Sequence, residues 1–170
     1  WRMMSVLDQF KLDDKVAIVT GGASGLGKAM GKSLAEAGVN LVIADMNLEV
    51  GQETAKEFEE ATGNKAIACE VDVTNLDQVN AMVKETMDTF GRIDILFNNA
   101  GINEHVKFED MPYDRWKKTM DVNLNSMVLV TNAVGEVFRK QQHGVIVNTS
   151  SMSGVIVNSP QPQAAYNTSK

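Results

Sequence analysis

Short β-branched runs alternate along this chain with longer stretches of helical period, and no other feature restricts its fold as much. Five runs read as strands: 15–20 (KVAIVT), 40–44 (NLVIA), 66–71 (AIACEV), 93–98 (IDILFN) and 145–149 (VIVNT). They are almost continuously apolar rather than alternating, the pattern of strands covered on both faces. The intervals between them match the crossover helices that parallel strands require. Leu26, Met30, Leu34 and Ala37 form one apolar stripe at helical spacing, and Leu76, Val79, Val83, Met87 and Phe90 form another. Thr74 and Asp77 read as a capping pair opening the second of these helices. Pro112 marks the start of a further helix, and 122–138 is apolar around most of its circumference, as a deeply packed helix would be. Right-handed crossovers then favour an α/β fold with a doubly wound parallel sheet in the order 3-2-1-4-5. In such a sheet the ligand site lies beyond the C-terminal strand ends.

A single domain accounts for all 170 residues, with 1–11 set apart as an N-terminal extension. At 44% hydrophobic and 22% charged residues the chain has globular composition. Its 22 Asp plus Glu outnumber 16 Lys plus Arg, and no basic cluster suits a nucleic acid or an anionic membrane surface. Cys69 is the only cysteine, which excludes an internal disulfide and fits a reducing, cytoplasmic location. No apolar run has membrane-spanning length. His105 and His143 have no second ligand at metal spacing, so no metal site is expected and both read as surface residues. The ten methionines read as core filler, and Trp116 as covering either a core edge or a subunit face.

Immediately after the first strand, Thr20-Gly21-Gly22-Ala23-Ser24-Gly25-Leu26-Gly27 leads into a helix. Glycines there allow a tight turn and close approach of a pyrophosphate, whose charge meets free N–H groups and the positive end of the helix dipole. Asp45, ending the second strand, is placed to accept the adenosine ribose hydroxyls and to repel a 2′-phosphate, which favours NAD over NADP.

The glycine spacing is Gly-x-x-x-Gly-x-Gly, and with it the chain resembles the short-chain dehydrogenase/reductase family. The resemblance rests on six elements in the family's order: residues 20–27 (TGGASGLG), Asp72-Val73, Asn98-Asn99-Ala100-Gly101, Asn123 within Val122-Asn123-Leu124, Ser150-Ser151, and Tyr166-Asn167-Thr168-Ser169-Lys170. It extends from about Leu12 to Lys170 and implies a Rossmann-type fold. By the same resemblance, Gly21, Ser24, Gly25, Leu26, Gly27, Asp45, Asp72, Val73, Asn99, Ala100 and Gly101 would bind the cofactor, together with Tyr166 and Lys170, with Asp72 and Val73 at the adenine. Asn98 reads instead as structural, bridging neighbouring strands through its amide.

Tyr166 and Lys170 are four residues apart and share one face of a helix. A phenol titrating near 10 is a poor base at neutral pH, and a neighbouring ammonium stabilises its phenolate. The resemblance implies Tyr166 as general acid/base, and Lys170 as the cation that lowers its pKa and binds the nicotinamide ribose. It implies Ser151 as hydrogen-bond donor to the reacting oxygen and Asn123 as holder of a proton-relay water. The family's usual spacing would select Ser153, but the pattern Thr149-Ser150-Ser151-Met152 selects Ser151, with a loop two residues longer before Tyr166. That loop, 160–163 (PQPQ), is similar to members acting on polyols and ketoses.

The implied function is NAD-dependent hydride transfer between nicotinamide and a secondary alcohol or ketone, with a polyol/ketose pair favoured. A 3-oxoacyl thioester reductase shares every motif, and a cofactor-binding fragment without activity is a third reading. The implied partners are a small-molecule substrate and further copies of the chain, as a dimer or tetramer. Family members are longer, so the C-terminal part of the usual fold is expected to be missing from this stretch, which would leave the fifth strand as an open apolar edge.

Overall fold

The structure, a computed structural model, describes residues 5–157 and 159–170. Five parallel strands form one sheet: β1 (Val16–Thr20), β2 (Asn40–Asp45), β3 (Ala66–Glu70), β4 (Ile95–Asn98) and β5 (Val145–Asn148), in the order β3-β2-β1-β4-β5. The expected strand order is met. Helices α1 (Gly25–Glu36) and α2 (Leu48–Thr62) cover one face. On the other lie α3 (Leu76–Phe90) and α5 (Ser126–Gln141), the latter preceded by α4 (Tyr113–Met120).

Strand alternation sorts the core into two layers. Ala17 and Val19 of β1 join Leu41, Ile43, Ala55 and Phe58 beneath α1 and α2. Ile18 and Val42 instead join Val79, Met82, Val130 and Val134 beneath α3 and α5. Burying residues from both faces of β1 explains why this strand reads as an unbroken apolar run.

Four local expectations change. Helix α1 buries its Leu26 stripe only in part: Leu34 packs against the core, but Leu26 is 69% exposed, and the fully buried positions are Gly27, Gly31 and Ala35. The helix lies so close to its neighbours that a Cβ on Gly31 would meet the Phe58 ring at 3.0 Å, leaving room only for small residues. The cap of α3 is Asn75, whose Oδ1 accepts from the N–H groups of Asp77 and Gln78, while the Thr74 hydroxyl donates to Asp72. The segment 122–138 is divided by a π-helical turn, Asp121–Asn125, and Val128 on α5 is exposed. Finally, the two-sided burial that its apolar run suggests fails for β5, which is instead the open apolar edge expected of a sheet lacking its C-terminal part: Val145 is 57% exposed.

Asp94, just before β4, ties the N-terminal edge of the sheet together. Its carboxylate accepts from the Val16 N–H and from the Arg92 guanidinium, and lies 3.4 Å from Lys15 Nζ. His143 is exposed and reaches this carboxylate at 3.7 Å, and His105 is also exposed. Trp116 packs edge-on against Phe108.

Candidate active site

Strands β1 and β4 are neighbours, yet their connections leave in opposite directions, toward β2 and toward β5. This is the topological switch point of a doubly wound sheet, where a crevice must open. The crevice is a cleft of about 850 Å³, and Gly21, Ser24, Leu26, Gly27, Asp45, Asp72, Val73, Asn99, Ala100, Gly101, Tyr166 and Lys170 all line it. Of the residues singled out in the sequence, Gly25, Asn123 and Ser151 are not part of its lining.

The outer end is built by the β1–α1 turn. Gly21 has φ +64°, and a Cβ there would sit 3.0 Å from Ala100 Cα. At Gly27 a Cβ would lie 2.0 Å from the Gly21 carbonyl oxygen, so the turn and the helix can meet only around a hydrogen. Ser24 occupies the N-cap position of α1 but makes no side-chain capping bond, leaving the helix's first amides without the usual side-chain acceptor. Asp45 Oδ2 accepts from the Ala23 N–H and Oδ1 from the Asn47 N–H, each at 3.1 Å. These two bonds fix the carboxylate at the cleft rim while each oxygen keeps a free lone pair. Asp72 is held by the Thr74 N–H and hydroxyl at 2.9 and 2.7 Å, beside the buried Val73.

Thr20, which the sequence reading left as a motif letter, organises the floor. Its buried hydroxyl donates to the Phe97 carbonyl and accepts from the N–H groups of Asn99 and Ala100 at 2.9 and 3.1 Å. The Asn99 amide returns to the Thr20 carbonyl at 3.1 Å and accepts from the Thr149 hydroxyl at 3.3 Å. Asn98 bridges β4 to β5 through Asn148 at 2.9 Å, with a second bond to Thr131, which is the structural part expected of it.

At the inner end Tyr166 and Lys170 sit on and just after α6 (Ala164–Ser169), with Lys170 Nζ 5.8 Å from the centre of the Tyr166 ring. Lys170 Nζ donates to the Thr149 carbonyl at 3.1 Å, and its half-burial pushes its pKa below the usual lysine value. Asn123, fully buried in the π turn, donates to the Ile102 carbonyl and to Ser169 Oγ, both at 2.9 Å, and accepts from the Ile102 N–H at 2.7 Å. It thus clamps the loop after β4 to α6, at the kind of helix irregularity that recurs at functional sites. Ser151 is half-buried and its Oγ accepts from the Ser153 N–H at 3.1 Å, whereas Ser153 is buried and accepts from Gln163 at 3.3 Å. Sequence reasoning also passed over Thr149, Asn103 and Gln163. Their contacts join segments far apart in the chain, and only the position of Thr20 directly before the glycine turn offered a signal.

Comparison with known proteins fits this geometry. A sequence profile described as short chain dehydrogenase matches residues 15–170. The chain is 39% identical to the sorbose reductase of Candida albicans over 98% of its own length and 59% of the relative's. It is 36% identical to a 3-oxoacyl-[acyl-carrier-protein] reductase of Synechocystis, covering 94% of this chain and 64% of the relative. Among solved structures, an NAD+-bound xylitol dehydrogenase superimposes with TM-score 0.88 at 36% identity, over 94% of this chain and 61% of that one. The NADPH-dependent 3-quinuclidinone reductase of Rhodotorula rubra does so with TM-score 0.91 at 32% identity, over 97% and 62%. The chain therefore spans about 60% of the length of the proteins it matches. Profile, identity and strand order agree with a cleft lined by the glycine turn at one end and Tyr166 and Lys170 at the other: the chain belongs to the short-chain dehydrogenase family.

Proposed function

We propose that this protein is an NAD-dependent oxidoreductase that interconverts a secondary alcohol and a ketone, with a polyol/ketose pair as substrate and Tyr166 as general acid/base. The observation carrying this reading is the continuity of one cleft from the glycine turn to the Tyr166–Lys170 pair. The outer end suits a dinucleotide: the turn has no room for a Cβ at Gly27, and α1 begins without a capping side chain. Gly21, Ser24, Gly25, Leu26 and Gly27 would hold the pyrophosphate, Asp45 the adenosine ribose, and Asp72 and Val73 the adenine. Asn99, Ala100 and Gly101 would line the path inward to Lys170. Asp45 favours NAD, since a carboxylate fixed at the rim would repel a 2′-phosphate. When bound, the nicotinamide supplies the two-electron chemistry, taking or giving a hydride at the carbinol carbon.

The chain's own residues handle the proton. Tyr166 would take the hydroxyl proton during oxidation and return it during reduction. The Lys170 ammonium, close to that ring and held by the Thr149 carbonyl, stabilises the phenolate electrostatically. Ser151 fits the donor role better than Ser153. Its Oγ lone pair is held by the Ser153 N–H and its own proton is left to point elsewhere, whereas Ser153 is enclosed against Gln163. Both N–H groups of the Asn123 amide are already donated, so a relay water there would be held by an oxygen of this residue as acceptor.

The test is NADH formation by the full chain across sorbitol, mannitol and xylitol, with NAD+ and NADP+ in parallel. Oxidation of at least one polyol, faster with NAD+, supports the reading. Reduction of a 3-oxoacyl thioester with no polyol activity would replace it with the reaction named for the Synechocystis relative. NADH binding without any turnover would leave only a cofactor-binding module. A cytoplasmic homo-oligomer, dimer or tetramer, belongs to the same proposal. It is supported by the lone buried cysteine and by Leu124 and Val128 exposed on one side of the 121–141 helix.

A further inference from the structure

Behind Asn103 of the cleft lining runs a polar relay that the proposed chemistry does not use. Gln163, at the start of α6, is 6% exposed and committed at both ends of its amide. Its Nε2 donates to Ser153 Oγ at 3.3 Å, and its Oε1 accepts from Asn103 Nδ2 at 3.1 Å. Its backbone is fixed as well, by a parallel bridge to Val106 and by the Asn167 N–H donating to its carbonyl at 2.9 Å. Asn103 is of the opposite kind. It is exposed, it lines the cleft on the segment following Gly101, and among the described residues only Gln163 hydrogen-bonds its amide. A buried amide that spends its oxygen on an exposed amide is a positioning device: it restrains the Asn103 side chain at the cleft lining and leaves that amide one N–H and its carbonyl oxygen to spend on a ligand.

We propose that Asn103 is a specificity-determining residue that recognises a second hydroxyl of the substrate, next to the reacting carbinol, and that Gln163 is the residue that positions it. A hydroxyl both donates and accepts, and the free N–H and oxygen of one amide match it on both counts. Gln163 lies three residues before Tyr166, so the amide it orients is anchored one helical turn from the acid/base. Its other end holds Ser153, whose N–H in turn holds Ser151 Oγ, so one side chain sets the position of both the reacting-oxygen donor and the second-hydroxyl reader. A substrate with a single hydroxyl gains nothing from Asn103, and selectivity between the two substrate kinds is therefore the quantity it controls.

This inference rests on the alcohol/ketone reading above. The experiment compares kcat/KM for sorbitol and for cyclohexanol in the full chain, in Asn103→Leu and in Gln163→Met. NADH affinity is the check that each variant is folded, and sorbitol binding to the NADH-saturated protein is followed by calorimetry. Asn103→Leu is expected to lower the sorbitol-to-cyclohexanol ratio about tenfold, mainly through KM for sorbitol, the loss of one or two neutral hydrogen bonds. Gln163→Met should lower it in the same direction. An unchanged ratio in a variant that binds NADH overturns the inference and leaves the proposed function standing. If the unaltered chain turns over neither of these alcohols, nor mannitol or xylitol, sorbitol binding that weakens in Asn103→Leu supports the inference and overturns the proposed function. Absence of binding of all three polyols overturns both.

Discussion

Replacing Thr20 with valine tests whether the cleft floor is built as described, because the substitution keeps the side-chain shape and removes only the hydroxyl. Thr20 is 2% exposed, and its Oγ1 accepts from the N–H groups of Asn99 and Ala100 while donating to the Phe97 carbonyl. Valine leaves two backbone donors and one acceptor without that partner. A buried donor left unsatisfied costs about 1–3 kcal/mol. Asn99 and Ala100 are half-buried, and water can reach their N–H groups in part, so a total of roughly 2–4 kcal/mol is expected. For a domain of this size that corresponds to a fall in Tm of roughly 4–16 °C. Urea unfolding followed by far-UV circular dichroism measures it, and an unchanged m-value shows that stability has changed and not the surface exposed on unfolding. Because Asn99, Ala100 and Gly101 line the cleft, NADH affinity should fall in the same variant. A stability within about 0.5 kcal/mol of the parent, the range of surface substitutions, would refute this account of the floor.

Asp45→Ala should cut the preference for NAD+ over NADP+ by tenfold or more, since it removes the carboxylate fixed beside the Ala23 N–H; an unchanged ratio in kcat/KM would contradict that role. Burial alone would raise the Asp94 pKa, but the Arg92 guanidinium, the Val16 N–H and Lys15 outweigh it and hold it below the usual carboxylate value. Its stabilising contribution is therefore complete above the unfolded value near 4 and lost as pH falls through the lower folded value. Asp94→Asn should flatten the acid limb of stability against pH, and a limb as steep as the parent's would count against the assignment. Burial, followed by the charge and hydrogen bond of Glu85, pushes the Cys69 thiol up to about 12. Iodoacetamide at pH 8 should accordingly leave the folded protein unmodified and label it in urea, whereas rapid native labelling would show the thiol to be accessible.

The parts of the molecule that sequence made legible are those in which one residue type has one physical reason to be where it is. Unbroken apolar runs such as 16–20 need cover on both faces, which made the parallel sheet and its order readable. The glycine turn and Asp45 are local to one strand–helix unit, and the structure places them on one cleft. What failed depended on partners distant in the chain. The α1 stripe is met only at Leu34, because periodicity assumes that large apolar residues turn inward, while Phe58 from α2 leaves space only for Gly31. Exposed Leu26 lines the cleft instead. The apolar run of β5 alone reads as a core strand, and only the expectation of an incomplete sheet marked it as the exposed edge that it is. Thr20 meets Ala100 across 80 positions and Asn103 meets Gln163 across 60, separations at which no pattern in the sequence links such residues.

The central claim is that Tyr166 moves the substrate proton in a cleft whose cofactor end is built independently of it. Tyr166→Phe removes one oxygen and leaves the ring beside Lys170 in place, so NADH binding and alcohol oxidation can be read separately in one variant. The account predicts NADH affinity within about threefold of the parent, with turnover lowered by at least about a hundredfold, the scale of general acid/base catalysis. Turnover equal to the parent's in a variant that binds NADH would contradict it.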